Sequence, residues 1–268
     1  MIKILIKENN KLLRKIKFLE KFLVDENVFR FFSNYKNQSF FTNSSRETHD
    51  KRLDKTHEII SKYIDYNKKN EILDIGVSDG STALNLYDFL LKKEIFFNLT
   101  ISEIVLEINH YQRGFISIFS DENLTVFKYS IFNIIFDKNL SVYKYPISRM
   151  LFYIFLPTIS ILNNIKNKIK VFNEDTISLL LKGKINQEKI DIFKIKDKKK
   201  KYDLIRSFNI LNNNNYEKKI NKILTGLRKI LNKNAIFICG YHFNEKIFIF
   251  VYKNHIDGIK LIKKNELS

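Results

Sequence analysis

Residues 71–81, EILDIGVSDGS, decide the fold of this chain. A short apolar strand ends there in an acidic residue and a glycine turn, and the pattern that follows predicts a helix over 82–92. Glycine suits such a turn because it tolerates positive φ and because a Cβ would hold a ligand away from the backbone. The order of strand, turn and helix would bring backbone N–H groups to the carboxyl edge of a parallel sheet, where nucleotide-like ligands bind.

The spacing of the glycines narrows the class of ligand. A dinucleotide fingerprint, Gly-x-Gly-x-x-Gly, begun at Gly76 would need glycines where this chain has Ser78 and Ser81. The pattern present is Asp-x-Gly-x-x-x-Gly, formed by Asp74, Gly76 and Gly80. It resembles the first motif of class I S-adenosylmethionine (SAM) dependent methyltransferases, in which the position of Ser78 is usually glycine. An ordinary strand-to-helix turn is the alternative.

The composition is that of a globular chain with a basic charge. Hydrophobic residues make up 44% of the 268 residues, enough for one large α/β domain or two small ones. A net charge of +18 by itself favours a nucleic-acid or anionic-membrane partner. However, Lys is spread along the whole chain, and residues with AT-rich codons are abundant while Ala and Pro are scarce. A biased genome explains this excess, so a nucleic-acid partner is not favoured.

Cysteine and histidine usage excludes some classes of site. The single cysteine, Cys239, excludes a disulfide within the chain and a cysteine-based metal cluster, and the five histidines lack metal-ligand spacing. We therefore predict no metal. Charge interrupts the N-terminal apolar run too early for a signal peptide. The most apolar window, 150–162, contains Pro157 and is short for a membrane span. We expect a cytoplasmic protein with no transmembrane span.

The predicted elements divide the chain into two domains. An N-terminal helical cap is expected over 1–66, with an amphipathic helix at 8–24, and a methyltransferase-like domain over 67–268. An insertion at about 104–165 interrupts the second domain with a β-hairpin, a further strand and an apolar helix at 147–163. The strands of this insertion are predicted at 115–119, 124–129 and 140–145.

Outside the insertion, strands and helices alternate, which predicts a mostly parallel sheet with helices on both faces. The predicted elements after the first helix are strands 97–103, 170–172, 189–193, 202–208 and 235–240 and helices 174–181 and 217–232. Strands at 247–252 and 259–263 follow without a helix between them, so at least one runs antiparallel. The predicted fold class is α/β: a doubly wound, mostly parallel seven-stranded sheet with an antiparallel C-terminal strand, N-terminal helices and the β-hairpin/helix insertion.

The methyltransferase resemblance implies where parts of SAM would bind. It implies that Asp74 lies near the amino group of the ligand and that Gly76, Ser78 and Gly80 line the turn beneath it. Glu103, which closes the second strand about 20 residues after the turn, would accept hydrogen bonds from the ribose hydroxyls, as in dinucleotide sites. An exposed glutamate at a strand end is the alternative for this residue.

The resemblance also implies the residues around adenine and sulfonium. Asp191 would reach the adenine amine, and Ile192 would lie against the ring. Asp203 is expected to anchor the start of its strand rather than touch the ligand. Ser207 and Asn209, at the end of that strand, are better placed to face the sulfonium and the substrate.

Methyl transfer needs a general base only when the acceptor is protonated at neutral pH. The candidate catalytic residues are His49 and His242, as bases, and Asn209, as a polar contact. His49 lies between Arg46 and Arg52 on roughly one helical side, which would suit a carboxylate or phosphate. A solvated helix face explains those three residues equally well, and a structural or solvated histidine is the alternative for His242.

We therefore interpret the chain as a SAM-dependent methyltransferase that acts on an unidentified acceptor, most simply a small molecule. Aromatic residues of the insertion favour a small or lipid-like acceptor, unless they form the core of the insertion. One alternative is an RNA methyltransferase that uses the Lys-rich surface and binds RNA in a salt-dependent way. Another is a catalytically silent binding protein with the methyltransferase fold, since Ser78 departs from the motif and a base is not evident.

Overall fold

The computed structural model describes residues 53–113, 116–131, 134–137, 150, 152–156, 167–195, 199–211, 216–243 and 246–267. The predicted helix at 8–24, His49 and the predicted strand at 140–145 lie outside these residues. The described residues belong to two compact units. One lies within Glu107–Val171, and the other combines residues 53–106 with residues 172–267.

The elements, in chain order, are α1 (Asp54–Tyr63), β1 (Asn70–Ile75), α2 (Ser81–Lys92), β2 (Phe97–Ser102), β3 (Glu107–Arg113), β4 (Ile116–Ser120), β5 (Val126–Ile131), β6 (Ile134–Asp137), β7 (Asn167–Lys170), α3 (Glu174–Leu181), β8 (Asn186–Glu188), β9 (Tyr202–Phe208), α4 (Tyr216–Leu227), β10 (Leu231–Phe243), β11 (Lys246–His255) and β12 (Gly258–Leu267). In the part of the chain that is described, no helix is long and apolar enough to cross a membrane.

The larger unit contains a seven-stranded sheet in the order β12-β11-β10-β9-β1-β2-β8. The pairs from β10 to β8 are parallel. β11 is antiparallel to β10, and β12 is antiparallel to β11. When the parallel strands β1, β2, β8, β9 and β10 are numbered 1 to 5 in chain order, they lie in the doubly wound order 3-2-1-4-5. The predicted fold class, a mostly parallel seven-stranded sheet with an antiparallel C-terminal strand, is confirmed.

Apolar periodicity explains how the sheet and its helices assemble. Helix α4 buries Ile220, Ile223 and Leu227, which recur at the spacing of one helical face. They belong to the same hydrophobic core as Leu73 of β1 and Ile205 of β9. Five of the six residues of β1 are buried, as expected for a central strand covered on both faces. This core holds the ends of β1 and β9 in place.

The smaller unit has a five-stranded antiparallel sheet in the order β6-β5-β4-β3-β7. The predicted hairpin is confirmed as β4 and β5, while β3 and β6 were not predicted. Of the helix predicted at 147–163, residues 150 and 152–156 are described and helical. Tyr129, Phe136 and Phe152 are buried together in the core of this unit. These aromatic residues therefore pack inside the insertion, which removes their support for an apolar acceptor.

Two predicted strands were placed wrongly. The strand predicted at 170–172 overlaps β7 only at Lys170, and β7 pairs with β3 in the smaller sheet rather than continuing the larger one. The strand predicted at 189–193 is a loop, because β8 ends at Glu188. Asp191 Oδ1 accepts a hydrogen bond from Phe193 N–H at 2.9 Å, a local turn that competes with strand pairing. Burial of Ile190 and Ile192 in this loop produced the strand-like pattern.

The helix predicted at 217–232 ends earlier, at Leu227. The N–H of Ile230 bonds to the carbonyl of Leu227 at 2.9 Å, closing a tight turn. Leu231 then pairs with Tyr202 and begins β10. Ile230 and Leu231 thus continue the apolar pattern of the helix, although Leu231 belongs to the strand β10.

Candidate functional site

The topological switch point lies at the carboxyl edge of the larger sheet. The strand order reverses between β1 and β9, since β2 and β8 lie on one side of β1 and the later strands on the other. Ligands of open α/β sheets bind in the crevice outside the strand ends at such a point. Ile75, at the end of β1, pairs with Ser207 of β9. The candidate site is therefore formed by the loops leaving β1 and β9 and by the end of β2.

The loop between β1 and α2 contains three residues in the left-handed region. The φ angle is +76° at Gly76, +57° at Ser78 and +90° at Gly80. For a residue with a Cβ this conformation costs about 1–2 kcal/mol, so Ser78 keeps a turn that glycine would form without strain. The buried Oγ of Ser78 has no hydrogen-bond partner among the described residues.

Carboxylates accept two of the backbone N–H hydrogen bonds at this loop, whereas the N–H groups of Gly76 and Val77 bond to the carbonyl of Ser102. Glu103 Oε2 accepts from the N–H of Ser78 at 2.9 Å, and its Oε1 accepts from the N–H of Ile104 at 3.1 Å. Asp79 Oδ1 accepts from the N–H of Ser81 at 3.1 Å, and its Oδ2 from the hydroxyl of Ser81 at 2.9 Å. In a dinucleotide site, N–H groups in such a loop bind phosphate. Here two of them already serve carboxylates.

Side chains cover both glycines of the loop. A Cβ on Gly76 would lie 2.7 Å from Cδ1 of Ile210, which belongs to the loop after β9. A Cβ on Gly80 would overlap the hydroxyl of Thr176, a fully buried residue of α3. Both glycines are therefore required for packing as well as for turn geometry. Ile210 occupies the face of Gly76 on which close approach of a ligand was expected.

Asp74 is engaged by a buried arginine. Arg206 Nε donates to Asp74 Oδ1 at 3.0 Å, and Arg206 Nη2 donates to Asp74 Oδ2 at 2.5 Å. The same Nη2 donates to the carbonyl of Thr82, in the first turn of α2, at 2.8 Å. Arg206 is 0% exposed and Asp74 is 4% exposed. The register of β1 and β9 places the two residues opposite each other, so neighbouring strands create this pair.

The energy of the pair decides whether a ligand can compete for Asp74. Removing one partner of a buried ion pair typically costs about 3–5 kcal/mol, because the other charge is left buried and uncompensated. A hydrogen bond to a charged group contributes about 1.5–3 kcal/mol. A single ligand ammonium therefore does not repay the loss of the Arg206 contacts. Asp74, which was expected to lie near the ligand's amino group, forms a buried ion pair with Arg206 in the structure.

His57 of α1 lies in the electrostatic environment of this pair. Burial, with a further contribution from the positive charge of Arg206, lowers the pKa of His57 from 6.5 to about 4. Its ring stacks on Phe89 with centroids 4.5 Å apart. Neither His57 Nε2 nor Arg206 Nη1 has a hydrogen-bond partner in the described part of the chain. His57 is thus a neutral, buried histidine at neutral pH.

The residues expected around adenine and sulfonium are partly buried in the core. Ile192 is 2% exposed and belongs to the main hydrophobic cluster, so its side chain presents little surface to a ring. Asp191 is half-buried in the loop after β8, where it caps a turn through Phe193. Ser207 is 3% exposed at the end of β9. Asp203 anchors its strand as expected, since its carboxylate accepts from the N–H of Glu71 at 2.9 Å.

The structure brings Asn209 and His242 together. Asn209 Oδ1 accepts from the backbone N–H of His242 at 3.1 Å and lies 3.1 Å from His242 Nδ1. Because a backbone N–H can only donate, the amide oxygen must point toward the ring. Nδ1 therefore carries the proton, and Nε2 carries the lone pair. Asn209 itself has a φ of +57°, so its placement depends on a special turn.

Sequence reasoning missed Arg206, Thr176 and Ile210. Arg206 is a charged residue in an otherwise apolar strand, Tyr202–Phe208, and such a residue needs a buried partner. Asp74 on the neighbouring strand was the available acid, so the pair could have been inferred. Thr176 and Ile210 carry no comparable signal, because their contacts depend on how α3 and the loop after β9 pack.

Comparisons with known proteins return matches of low identity among solved structures. No protein-family model and no curated protein matches the chain. A SAM-dependent methyltransferase structure from Clostridium acetobutylicum is 14% identical, with 89% of this chain and 80% of that chain covered, at a TM-score of 0.35. For a SAM-dependent methyltransferase from Methanosarcina mazei the identity is 12%, the coverage 68% and 56%, and the TM-score 0.31.

A third similar structure is the CMeT domain of the citrinin polyketide synthase, at 8% identity and a TM-score of 0.32, with 69% of this chain covered. This chain spans 32% of the length of that protein and 56% of the Methanosarcina mazei protein. The fold class itself follows from the strand order and directions of the larger sheet.

Proposed function

We propose that the chain is a SAM-dependent methyltransferase that binds the nucleoside part of its cofactor at the switch point. The observation that carries the proposal is the position of Glu103. Its carboxylate lies at the end of β2, hydrogen-bonded at 2.9 Å to the N–H of Ser78 in the left-handed loop after β1. An acidic residue at this point of a doubly wound sheet is the acceptor that ribose hydroxyls require.

The charge of the loop supports a sulfonium nucleoside over a dinucleotide. A pyrophosphate would approach the carboxylates of Glu103 and Asp79, which already accept from the N–H groups of Ser78 and Ser81. Like charges at this distance repel, and the phosphate would find fewer unoccupied donors. A cationic sulfonium meets no such repulsion. The same carboxylates thus disfavour a dinucleotide and are compatible with a sulfonium nucleoside.

The residues present fit SAM at its nucleoside end. Glu103 would hold the ribose diol, and Asp191, in the loop after β8, would accept from the adenine amine. Ser207 lies near the end of β9 and pairs with Ile75 at the end of β1, where the resemblance to class I methyltransferases implies the sulfonium. When bound, SAM supplies an electrophilic methyl group and a thioether leaving group. Orientation of an acceptor toward that group can supply several kcal/mol of rate enhancement.

His242 is the group we propose for proton removal from the acceptor. Asn209 holds the imidazole in the tautomer with the proton on Nδ1, so Nε2 carries the basic lone pair. Nucleophile activation commonly uses a base that a third group orients, and this pair has that form. The acceptor itself is left open, since the aromatic residues of the insertion are buried in their own core.

Calorimetric titration with S-adenosylhomocysteine tests the proposal. Glu103→Gln keeps the shape of the side chain and removes its charge, so we expect binding to weaken by about 10- to 100-fold, the equivalent of one charge-assisted hydrogen bond. Glu58→Gln, on the exposed side of α1, is the matched control and should leave the affinity unchanged. Equal affinity of the wild type and Glu103→Gln would exclude the ribose role.

A catalytically silent binding protein is the second candidate. Two contacts favour it: Ile210 lies over Gly76, and Arg206 occupies Asp74. Ile210 reaches Gly76 with the far end of a flexible side chain, so a ligand could displace it, whereas the ion pair is fixed. This candidate predicts binding of S-adenosylhomocysteine without methyl transfer from SAM to any acceptor or to water. Detection of any methylated product would exclude it.

A further inference from the structure

We propose that Arg206 is a specificity-determining residue that removes recognition of the ligand's amino group from this site. The inference rests on the proposed function and deepens it. The site would then select a 5′-thioadenosine nucleoside by its ribose and adenine, largely independently of the amino-acid end. Arg206 acts by holding Asp74, the residue whose position would otherwise serve an ammonium.

The geometry leaves Asp74 little capacity for another donor. Both of its oxygens accept from Arg206, at 3.0 and 2.5 Å, in a fork that matches the guanidinium. The contact of Arg206 with the Thr82 carbonyl, at 2.8 Å, ties the guanidinium to the start of α2. Arg206 cannot lose its proton in a protein, so its charge stays and requires the carboxylate. Asp74 is also 4% exposed, which keeps it from a ligand outside the strand ends.

The other carboxylates beside the loop have different partners. Asp79 directs both oxygens to Ser81 and is buried. Glu103 accepts from Ser78 and Ile104 and is the residue assigned to the ribose. Asp74 and Asp79 are 4% and 3% exposed, whereas Glu103 is half-buried. Among these three carboxylates Glu103 is therefore the most accessible to a ligand, and it is assigned to the ribose rather than to the ammonium. This explains why the amino-acid end should contribute little to affinity.

Two ligands that differ only at that end test the inference. Wild-type protein is titrated by calorimetry with S-adenosylhomocysteine and with 5′-deoxy-5′-methylthioadenosine, which keeps the adenosine and the thioether but lacks the amino acid. We expect the two dissociation constants to agree within about tenfold. A preference of more than about tenfold for S-adenosylhomocysteine would overturn the inference and leave the proposed function standing. Failure of both ligands to bind at millimolar concentration would overturn the two together.

Variants separate the two ends of the ligand. Asp74→Asn keeps the size of the side chain, and we expect it to leave the ratio of the two dissociation constants unchanged even if stability falls. If Asp74→Asn weakened the binding of S-adenosylhomocysteine more than that of 5′-deoxy-5′-methylthioadenosine, Asp74 would be shown to contact the ammonium. Glu103→Gln should weaken both ligands by the same factor, because both carry the ribose. If Asp74→Asn does not fold, the wild-type ratio alone decides.

Discussion

Replacement of Arg206 by methionine tests the buried ion pair most severely. Methionine fills a comparable length of apolar space but cannot donate to Asp74, so the carboxylate would remain buried without its partner. Arg206 makes two hydrogen bonds to Asp74 and one to the Thr82 carbonyl. All three contacts disappear in Arg206→Met, whereas the residue remains inside a strand that is buried at most positions.

The expected loss of unfolding free energy is about 3–5 kcal/mol, the usual cost of leaving one member of a buried pair uncompensated. With a urea m-value of about 2 kcal/mol/M, the unfolding midpoint should fall by about 2 M. Replacing both charges, in Arg206→Met with Asp74→Leu, should recover most of this loss. Paired buried charges often contribute little net stability over apolar residues of similar volume.

The assay is equilibrium urea unfolding followed by far-ultraviolet circular dichroism for the wild type, both single variants and the double variant. The coupling free energy from this cycle should be about 2 kcal/mol or more. A loss below about 1 kcal/mol in Arg206→Met, or additive effects in the double variant, would contradict the reasoning. Either result would mean that Asp74 is hydrated or differently partnered, and so open to a ligand.

Three further predictions concern single side chains. The pKa of His57 is about 4 in the folded protein and 6.5 in the unfolded chain, so the unfolded state binds the proton first as the pH falls. Protonation of His57 should therefore lower the unfolding free energy by about 2–3 kcal/mol between pH 7 and pH 4. Urea unfolding of His57→Gln over that range should lack this decline. Parallel pH profiles of the unfolding free energy for the two proteins would refute the prediction. Gly80→Ala should destabilise more than Gly183→Ala, because both have positive φ but only a Cβ at Gly80 meets other atoms within 4 Å; similar thermal midpoints for the two variants would refute the packing contact. The ring of His242 should be protonated at Nδ1 in ¹H–¹⁵N spectra of the neutral form and should shift toward the Nε2-protonated tautomer in Asn209→Ala; an Nε2–H ring in the wild type would contradict the hydrogen bond.

Much of the fold was predictable because its signals are local. The β1–loop–α2 unit, α3 and β9 follow from apolar strands, a glycine turn and helical periodicity, and the structure places them where the pattern indicates. The hairpin of β11 and β12 follows from the short connection at Asp257 and Gly258. The prediction of strands was wrong where the pairing of distant segments decides which sheet a segment joins. The segment ending at Lys170 could pair with either sheet, and only its partner β3 determines which.

The candidate site was less predictable, because motif positions do not reveal what neighbouring strands contribute. The resemblance indicated Asp74 as a ligand residue, but the register of β1 and β9 puts Arg206 directly opposite it. Ile192 matched a ring contact in sequence, yet the loop buries it in the core. In contrast, Asn209 and His242 were separate candidates, and the end of β10 brings them within hydrogen-bond distance.

Binding of a SAM-type nucleoside at the loop after β1 is tested most directly by comparing the affinities of a nucleoside and a dinucleotide. Wild-type protein is titrated by calorimetry with S-adenosylhomocysteine and, separately, with NAD⁺, which carries a pyrophosphate. We expect that S-adenosylhomocysteine binds and that NAD⁺ binds at least about 100-fold more weakly, because Glu103 and Asp79 already accept from the N–H groups of Ser78 and Ser81. Tighter binding of NAD⁺, or no binding of S-adenosylhomocysteine at millimolar concentration, would contradict it.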